Sequence, residues 1–302
     1  MFFRNLTFFR FPTSIDFSKV DALLPEAQLK PVGPMEMTSR GFVSPFGVGD
    51  EALSHQVGDF LWLTIGGQDR MLPGSVVNDL LARKVAEIEE KEGRRPGGRT
   101  RKRIKEDVIA ELLPRAFVRA SRIDLFLDLE HGYVAVDTSS RKTGENAMSE
   151  IRSLLGSFPA LPLNAEVAPR SILTAWIAGE PLPVGLSVGE ECQLQDPIQG
   201  GAVVRCQHQE LRCDEIDKHL QAGKQVTRLA LRMDDRISFV LGDDLVIRKL
   251  KFLQGAADEA AKASGDGIRA ELDARFALMT GEVSQLFLLL EAAFKISTAG
   301  DQ

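Results

Sequence analysis

Arg94-Arg95-Pro96-Gly97-Gly98-Arg99-Thr100-Arg101-Lys102-Arg103-Ile104-Lys105 carries seven cations and no acid, and its Pro-Gly-Gly centre stops a helix from running through it. The apolar positions on either side decide how the segment is built into the chain. Upstream, Pro73-Gly74 breaks the preceding pattern and Ser75 opens a helix whose Val77, Leu81, Val85 and Ile88 recur at helical spacing. Downstream, a helix from about Arg101 to Leu113 sets Ile104, Val108 and Leu112 on one stripe, and Pro114 ends it. Two helices with narrow apolar seams and a short Gly/Pro connection predict an αα-hairpin. At about 15 residues a side it stands roughly 20 Å off the body. Its free end carries the cations.

The flanks predict what the arm is inserted into. Before it, Phe2 to Phe11 is strand-like, Ser18 caps a helix that runs to Leu24 before Pro25, and Leu61-Trp62-Leu63-Thr64-Ile65 is a buried strand. Gly66-Gly67-Gln68-Asp69 reads as the turn of a hairpin returning through Arg70-Met71-Leu72. After it, Arg122 to Leu129 alternates as a strand, Glu130-His131-Gly132 turns, Tyr133 to Val136 returns, and Glu145 to Leu155 is helical. Residues 1–73 plus 115–163 thus read as one α+β domain, with 74–114 as an insertion. The proline-rich stretch from Phe158 to Pro183 marks a boundary. Beyond it, residues 164–302 offer strands at Val203 to Cys206, Gln225 to Met233, Arg236 to Leu241 and Val246 to Phe252. Helices follow at Ala256 to Ala263 and from Ile268 or Glu282 to Phe294. The expected fold class is α+β: two mixed α/β-sheet units with an inserted αα-hairpin arm.

The whole chain of 302 residues, 44% hydrophobic and 26% charged, has a formal net charge of -6. Residues 91–105 alone hold eight cations and one acid, net +7, which leaves the remainder at -13. A like-charged run needs full hydration or an anionic partner, and an acidic body with one basic element restricts where a phosphate backbone can rest. A solvated loop tip is the plain alternative. Arg4 and Arg10 interrupt the apolar start of the chain, so no signal peptide is expected, and Leu286 to Leu290 is too short a run for a membrane span. Cys192, Cys206 and Cys213 make no disulfide framework and suit a reducing cytoplasm. Cys206, His208, Cys213 and His219 match no zinc-ligand spacing, so no metal or other cofactor is expected.

Enzyme signatures are weak. Gly223-Lys224 is followed by Gln225 and lacks the upstream glycine of a phosphate loop, and no Gly-x-Ser-x-Gly elbow occurs. Asp234-Asp235 and Asp243-Asp244 are adjacent pairs, which on a strand face opposite ways and seldom converge on one ion. Glu89-x-Lys91 echoes a nuclease signature but sits among helical acids. Lys224, Arg228, Arg248, Lys249 and Lys251 form either a phosphate-tracking stripe or the wet face of a sheet. No aromatics interleave with the arm cations, so contact with the backbone alone fits better than base stacking.

Several strings together resemble the bacterial recombination-associated RdgC family: Leu112-Leu113-Pro114-Arg115-Ala116-Phe117, Leu155-Gly156-Ser157-Phe158-Pro159, Ala222 through Leu231, Arg248-Lys249-Leu250-Lys251-Phe252, and Leu278-Met279-Thr280-Gly281-Glu282. The resemblance implies a ring-shaped homodimer of centre, tip and base domains that threads duplex DNA without sequence preference, leaves single strands open as a second ligand, and restrains RecA-promoted recombination. It also implies a non-enzymatic, cytoplasmic, nucleoid-associated protein with no membrane partner. Residues 74–114 become the tip and residues from 164 the base. Arg94, Arg95, Arg99, Arg101, Lys102, Arg103 and Lys105 carry over as a charge cluster, and Arg115 and Gln209 as further DNA contacts; Lys224 and Arg228 join them on the strand spacing read above. Phe117 falls where the family gates the ring at its dimer contact. His208 stands where a family interface lysine would be, which weakens a charged role there at neutral pH. The rival expectation is a protein that docks on RecA directly and binds little DNA of its own.

Overall fold

The computed structural model describes residues 2–198, 201–253 and 267–297. The predicted first strand shrinks to β1 (Thr7–Arg10), followed by the single-turn α1 (Val20–Leu23). β2 (Thr38–Val43) and β3 (Ser54–Val57) then precede the twelve-residue β4 (Phe60–Met71). β4 corrects one expectation, because Gly66-Gly67 is not a turn: the strand runs straight through it, paired with β2 from Thr38↔Asp69 to Val43↔Thr64. The glycines are there for space. A Cβ on Gly66 would lie 2.6 Å from Val43 Cγ1, and one on Gly67 would lie 2.6 Å from Ser121 Oγ and 2.8 Å from an Arg40 nitrogen.

The inserted arm is α2 (Gly74–Glu92) and α3 (Gly98–Leu112), closed by a 3-10 turn at Leu113–Arg115. Val77, Leu81, Val85, Ile104 and Val108 are buried together in a cluster separate from the rest of the molecule, as the spacing predicts. A core this small leaves the hairpin as a local cooperative unit. Leu81→Ala should therefore weaken the arm by about 2 kcal/mol. Amide exchange in α2 and α3 should rise roughly 30-fold, with the global unfolding midpoint unchanged.

β5 (Phe117–Asp128) returns to the body beside β4 and leads through a turn to β6 (Tyr133–Val136). Ser140 accepts from the Thr143 N–H at 3.3 Å and caps α4 (Arg141–Leu155). β7 (Leu161–Pro162) completes an antiparallel sheet in the order β2-β4-β5-β6-β1-β7, with β3 beside β4. After α5 (Pro169–Ile177) come β8 (Leu186–Gln195), β9 (Val203–Gln207), α6 (Asp214–Gln221), β10 (Gln225–Met233), β11 (Ile237–Gly242) and β12 (Ile247–Phe252). These strands form a second antiparallel sheet, β12-β11-β10-β8-β9. The predicted helix at Ala256 to Ala263 lies outside the described residues.

The long helix α7 (Ile268–Phe294) explains how the two sheets fit. One face of the first sheet, with Leu61, Leu63, Leu125, Leu127, Val134 and Val136, packs on α4 through Ala147, Met148, Ile151 and Leu154. Its other face, with Phe8, Trp62, Phe126 and Tyr133, joins Phe276, Met279, Val283 and Phe287 of α7 and Leu229, Leu231 and Phe239 of the second sheet in one core. Residues from both sides of the proline-rich stretch contribute to that core. Main-chain bonds between Leu6 and Ile247, both 2.9 Å, tie the two sheets at one end. By length and composition Arg269–Phe294 could cross a membrane. Here its apolar side chains are used between the sheets.

Candidate nucleic-acid interface

The chemistry of the arm lies at its free end. Gly93, at φ 68°, adopts the left-handed conformation and donates its N–H to Glu89 O at 2.9 Å, which ends α2. Gly97 then precedes α3 without a side-chain cap, so the first N–H groups of that helix point outward at the tip. Arg94, Arg95, Arg99, Arg101, Lys102, Arg103 and Lys105 are all exposed. Among the described residues none of the seven has an ion pair or a side-chain hydrogen bond. Nearer the body the cations are paired, Arg83 with Asp79 at 2.7 Å and Lys84 with Glu111 at 2.5 Å. The Lys84 hydrogen bond holds the Glu111 carboxyl below its ordinary range, and Glu111 raises Lys84 in turn.

The tip charges run against the helix dipoles. Cations crowd the N-terminus of α3, while Glu89, Glu90 and Glu92 sit at the C-terminus of α2, each the disfavoured end. Arginines without an ion pair among the described residues, beside free helix N–H groups, are an arrangement that can receive an anion, and a bound phosphate would reverse the repulsion.

At the root of the arm the first sheet outgrows its core. β6 pairs with β5 only from Leu125 to Asp128, whereas β4 pairs with β5 along its whole length, so among the described residues the edge of β5 from Phe117 to Ile123 is open. Arg70 fixes this root by donating to Leu113 O at 3.0 Å and Gly33 O at 3.2 Å. Phe117 is no core aromatic: it is 85% exposed, and Met71, its cross-strand partner, is 50% exposed. Met35, Met37, Val76 and Val118 are exposed as well. Arg115 lies exposed just before them. Sequence reading missed Arg119, which follows on the same strand 3.9 Å from an Asp69 already held by Arg40 at 2.6 Å. Its signal was the alternation Phe117, Arg119, Ser121 on one face.

The second sheet gives a mixed result. Arg228 is exposed without an ion pair among the described residues, and Lys251 is exposed, while Lys224 is half-buried at the start of β10. Lys249, however, pairs with Glu191 at 2.7 Å and Arg248 with Asp244 at 2.5 Å. Burial alone would raise the Asp244 and Glu191 carboxyls, but hydrogen bonds from Arg248 and Lys249 outweigh it and hold both low. The stripe read from spacing is thus partly neutralised, in keeping with a wet sheet face. His208, at φ 57°, is exposed at the end of β9, between concavities of about 810 and 410 Å³, and Gln209 lines the larger. Neither concavity includes an arm residue.

The acid pairs serve turns and ion pairs. Asp234 and Asp235 take φ of 46° and 53° between β10 and β11, and Asp243 meets Arg170 at 2.5 Å. Among the described residues no three His, Cys, Asp or Glu side chains gather so as to hold a metal ion.

These features lie on a chain that matches, over residues 1–297, a family model described as "RdgC: Putative exonuclease, RdgC". It is 74% identical over 300 residues to the recombination-associated protein RdgC of Xanthomonas campestris pv. campestris (strain B100), covering 99% of each chain. Against the proteins of the same name from Xanthomonas oryzae pv. oryzae (strain MAFF 311018) and Stenotrophomonas maltophilia (strain R551-3) identity is 73% and 72%, with 99% of this chain and all of the relative covered. Likeness on that scale, along nearly the full length, leaves no segment of the described interface outside the match: the chain belongs to the RdgC family of recombination-associated proteins.

Proposed function

We propose that this protein is a sequence-independent DNA-binding protein that acts as a ring-shaped homodimer around duplex DNA and restrains RecA-promoted recombination, in the cytoplasm and on the nucleoid. The observation that carries the reading is the arm tip, where seven cations have no partner among the described residues and stand at an uncapped helix start. Phosphate contacts supply affinity without reading bases. The tip (74–114), centre (1–73 plus 115–163) and base (164–302) would then divide the work into gripping, bridging and closing.

The apolar root beside the arm supports the dimer. Phe117 at 85% exposure, next to an open strand edge, is costly to leave in water and suits a second copy of the chain. The relatives are named for recombination and the family model for an exonuclease. We favour a role without catalysis, because the described acid pairs are committed to turns and ion pairs.

Light scattering of the free protein should give twice the 33.2 kDa chain mass. Phe117→Asp should lower that mass toward one chain at micromolar concentration and release closed circular DNA while sparing linear DNA far more. A monomeric parent would end the ring, and cutting of DNA on addition of magnesium would end the non-enzymatic reading.

A further inference from the structure

The three cysteines fall outside the strings that carry the family resemblance, and two of them meet on the second sheet. Cys192 on β8 lies directly opposite Cys206 on β9. The ladder continues to Asp196, whose N–H donates to Ala202 O at 3.1 Å. Counting back along that alternation, Cys192 and Cys206 occupy a hydrogen-bonded pair, where Cα atoms stand about 5.5 Å apart. That Cα separation lies within the range a disulfide spans, and closing the bond must draw the two Cβ atoms in by about 1 Å from the spacing of an open pair. Opposite residues share a face, and both thiols turn toward the core, Cys192 within it and Cys206 and Cys213 packed against it. The two thiols are close enough that Cys206 adds to the rise of the Cys192 pKa. All three cysteines are free, Cys192 buried and the others half-buried.

From this geometry we infer that Cys192 and Cys206 form a redox-sensitive cross-strand clamp, closed by hydrogen peroxide, on the outer strand of the second sheet. The chemistry is ordered by access. Burial, and then the neighbouring Cys206, push the Cys192 thiol up to about 12, so Cys192 stays protonated and Cys206 reacts first. The Cys206 thiolate attacks the peroxide, an S–O bond forms, the O–O bond breaks and hydroxide leaves. The Cys192 sulfur then attacks the Cys206 sulfenic acid; the S–S bond forms, the S–O bond breaks, and hydroxide leaves with the Cys192 proton as water. Overall two thiols and one peroxide give one disulfide and two waters.

The consequence is local. Among the described residues β9 is an edge strand paired with β8 alone, and it leads into the strained His208 and the Gln209 turn. Tying it to β8 removes its freedom to fray.

The test uses the full-length protein, treated with hydrogen peroxide, denatured, alkylated and mapped by mass spectrometry. Three alkylated thiols should fall to one, on Cys213, with the peptides holding Cys192 and Cys206 joined and two hydrogens lighter, and dithiothreitol should reverse the change. Amide exchange across Val203–Gln207 should slow about tenfold or more. Cys213→Ser should keep the link, whereas Cys192→Ser should stop at a Cys206 sulfenic acid that dimedone traps. A Cys206–Cys213 link, a link between chains, three thiols left free, or a link that leaves exchange unchanged would each overturn the clamp. None of these outcomes depends on DNA.

Discussion

Replacing Arg99, Arg101, Lys102, Arg103 and Lys105 together by alanine is expected to weaken binding to a short duplex on the order of 10³-fold at 0.2 M salt. The expectation follows from counterion release. Each cation that neutralises a phosphate contributes about 0.9 to the slope of log affinity against log salt, so five contacts account for about 4.5. Between 1 M, where that contribution vanishes, and 0.2 M, a slope of that size spans about three decades. The loss should be uniform across sequences, because no base is read.

The fold itself should tolerate the change. All five side chains are exposed without an ion pair among the described residues, and alanine is the best helix former, so the unfolding midpoint should hold or rise. Arg83→Ala with Lys84→Ala is the matched control: it removes equal charge per residue from the same arm, at positions already satisfied by Asp79 and Glu111. Its slope should barely move. If the five-fold variant keeps the parent slope, the run is only a solvated loop tip, and direct docking on RecA becomes the better account.

The arm was legible because its information is local. Val77, Leu81 and Val85 face Ile104 and Val108 across a connection of a few residues, and both stripes show a helical period by themselves. Glycine was the misleading residue. Gly66-Gly67 looks the same in sequence whether it supplies a turn or makes room, and the residues that need the room, Leu29, Val43, Arg40 and Ser121, are remote in the chain. β2 and β3 escaped notice because Thr38-Ser39-Arg40 and Ser54-His55-Gln56 are polar strand ends with little alternation to detect. β8 did alternate, through Leu186, Cys192 and Leu194, but register shifts opposite Val226–Leu231 blur its period. The neutralising partners of Arg248 and Lys249 were hidden for a simpler reason. Spacing along a strand shows which residues share a face, but not that Glu191, far back in the chain, will stand beside Lys249.

Phe287→Ala should be the most damaging single substitution in the body, lowering stability by about 3–5 kcal/mol and the urea midpoint by roughly 1–2 M. Phe287 is fully buried on α7, stacked on Tyr133 at a 4.0 Å centroid separation and 5.3 Å from Phe8, both of the first sheet. Arg10, its guanidinium 5.0 Å from the same ring, pairs with Glu291. Burial lowers the Arg10 pKa, so truncating the ring also strips cover from a charge with little water to fall back on. Leu288→Ala, one position along on the exposed side of the helix, should cost under about 1 kcal/mol. The two tryptophans show how far the damage spreads. Trp62 stacks on Phe276 at 5.0 Å in the first sheet, and Trp176 on α5 meets Phe294 edge-on at 5.5 Å beside the second. Because both belong to one core through α7, Trp62→Phe and Trp176→Phe proteins, each read by its remaining tryptophan, should unfold in a single coincident transition. Adding Phe287→Ala should shift both by the same amount. A drop confined to the Trp62 signal would mean that the two sheets unfold independently, and that α7 lies between them without joining them.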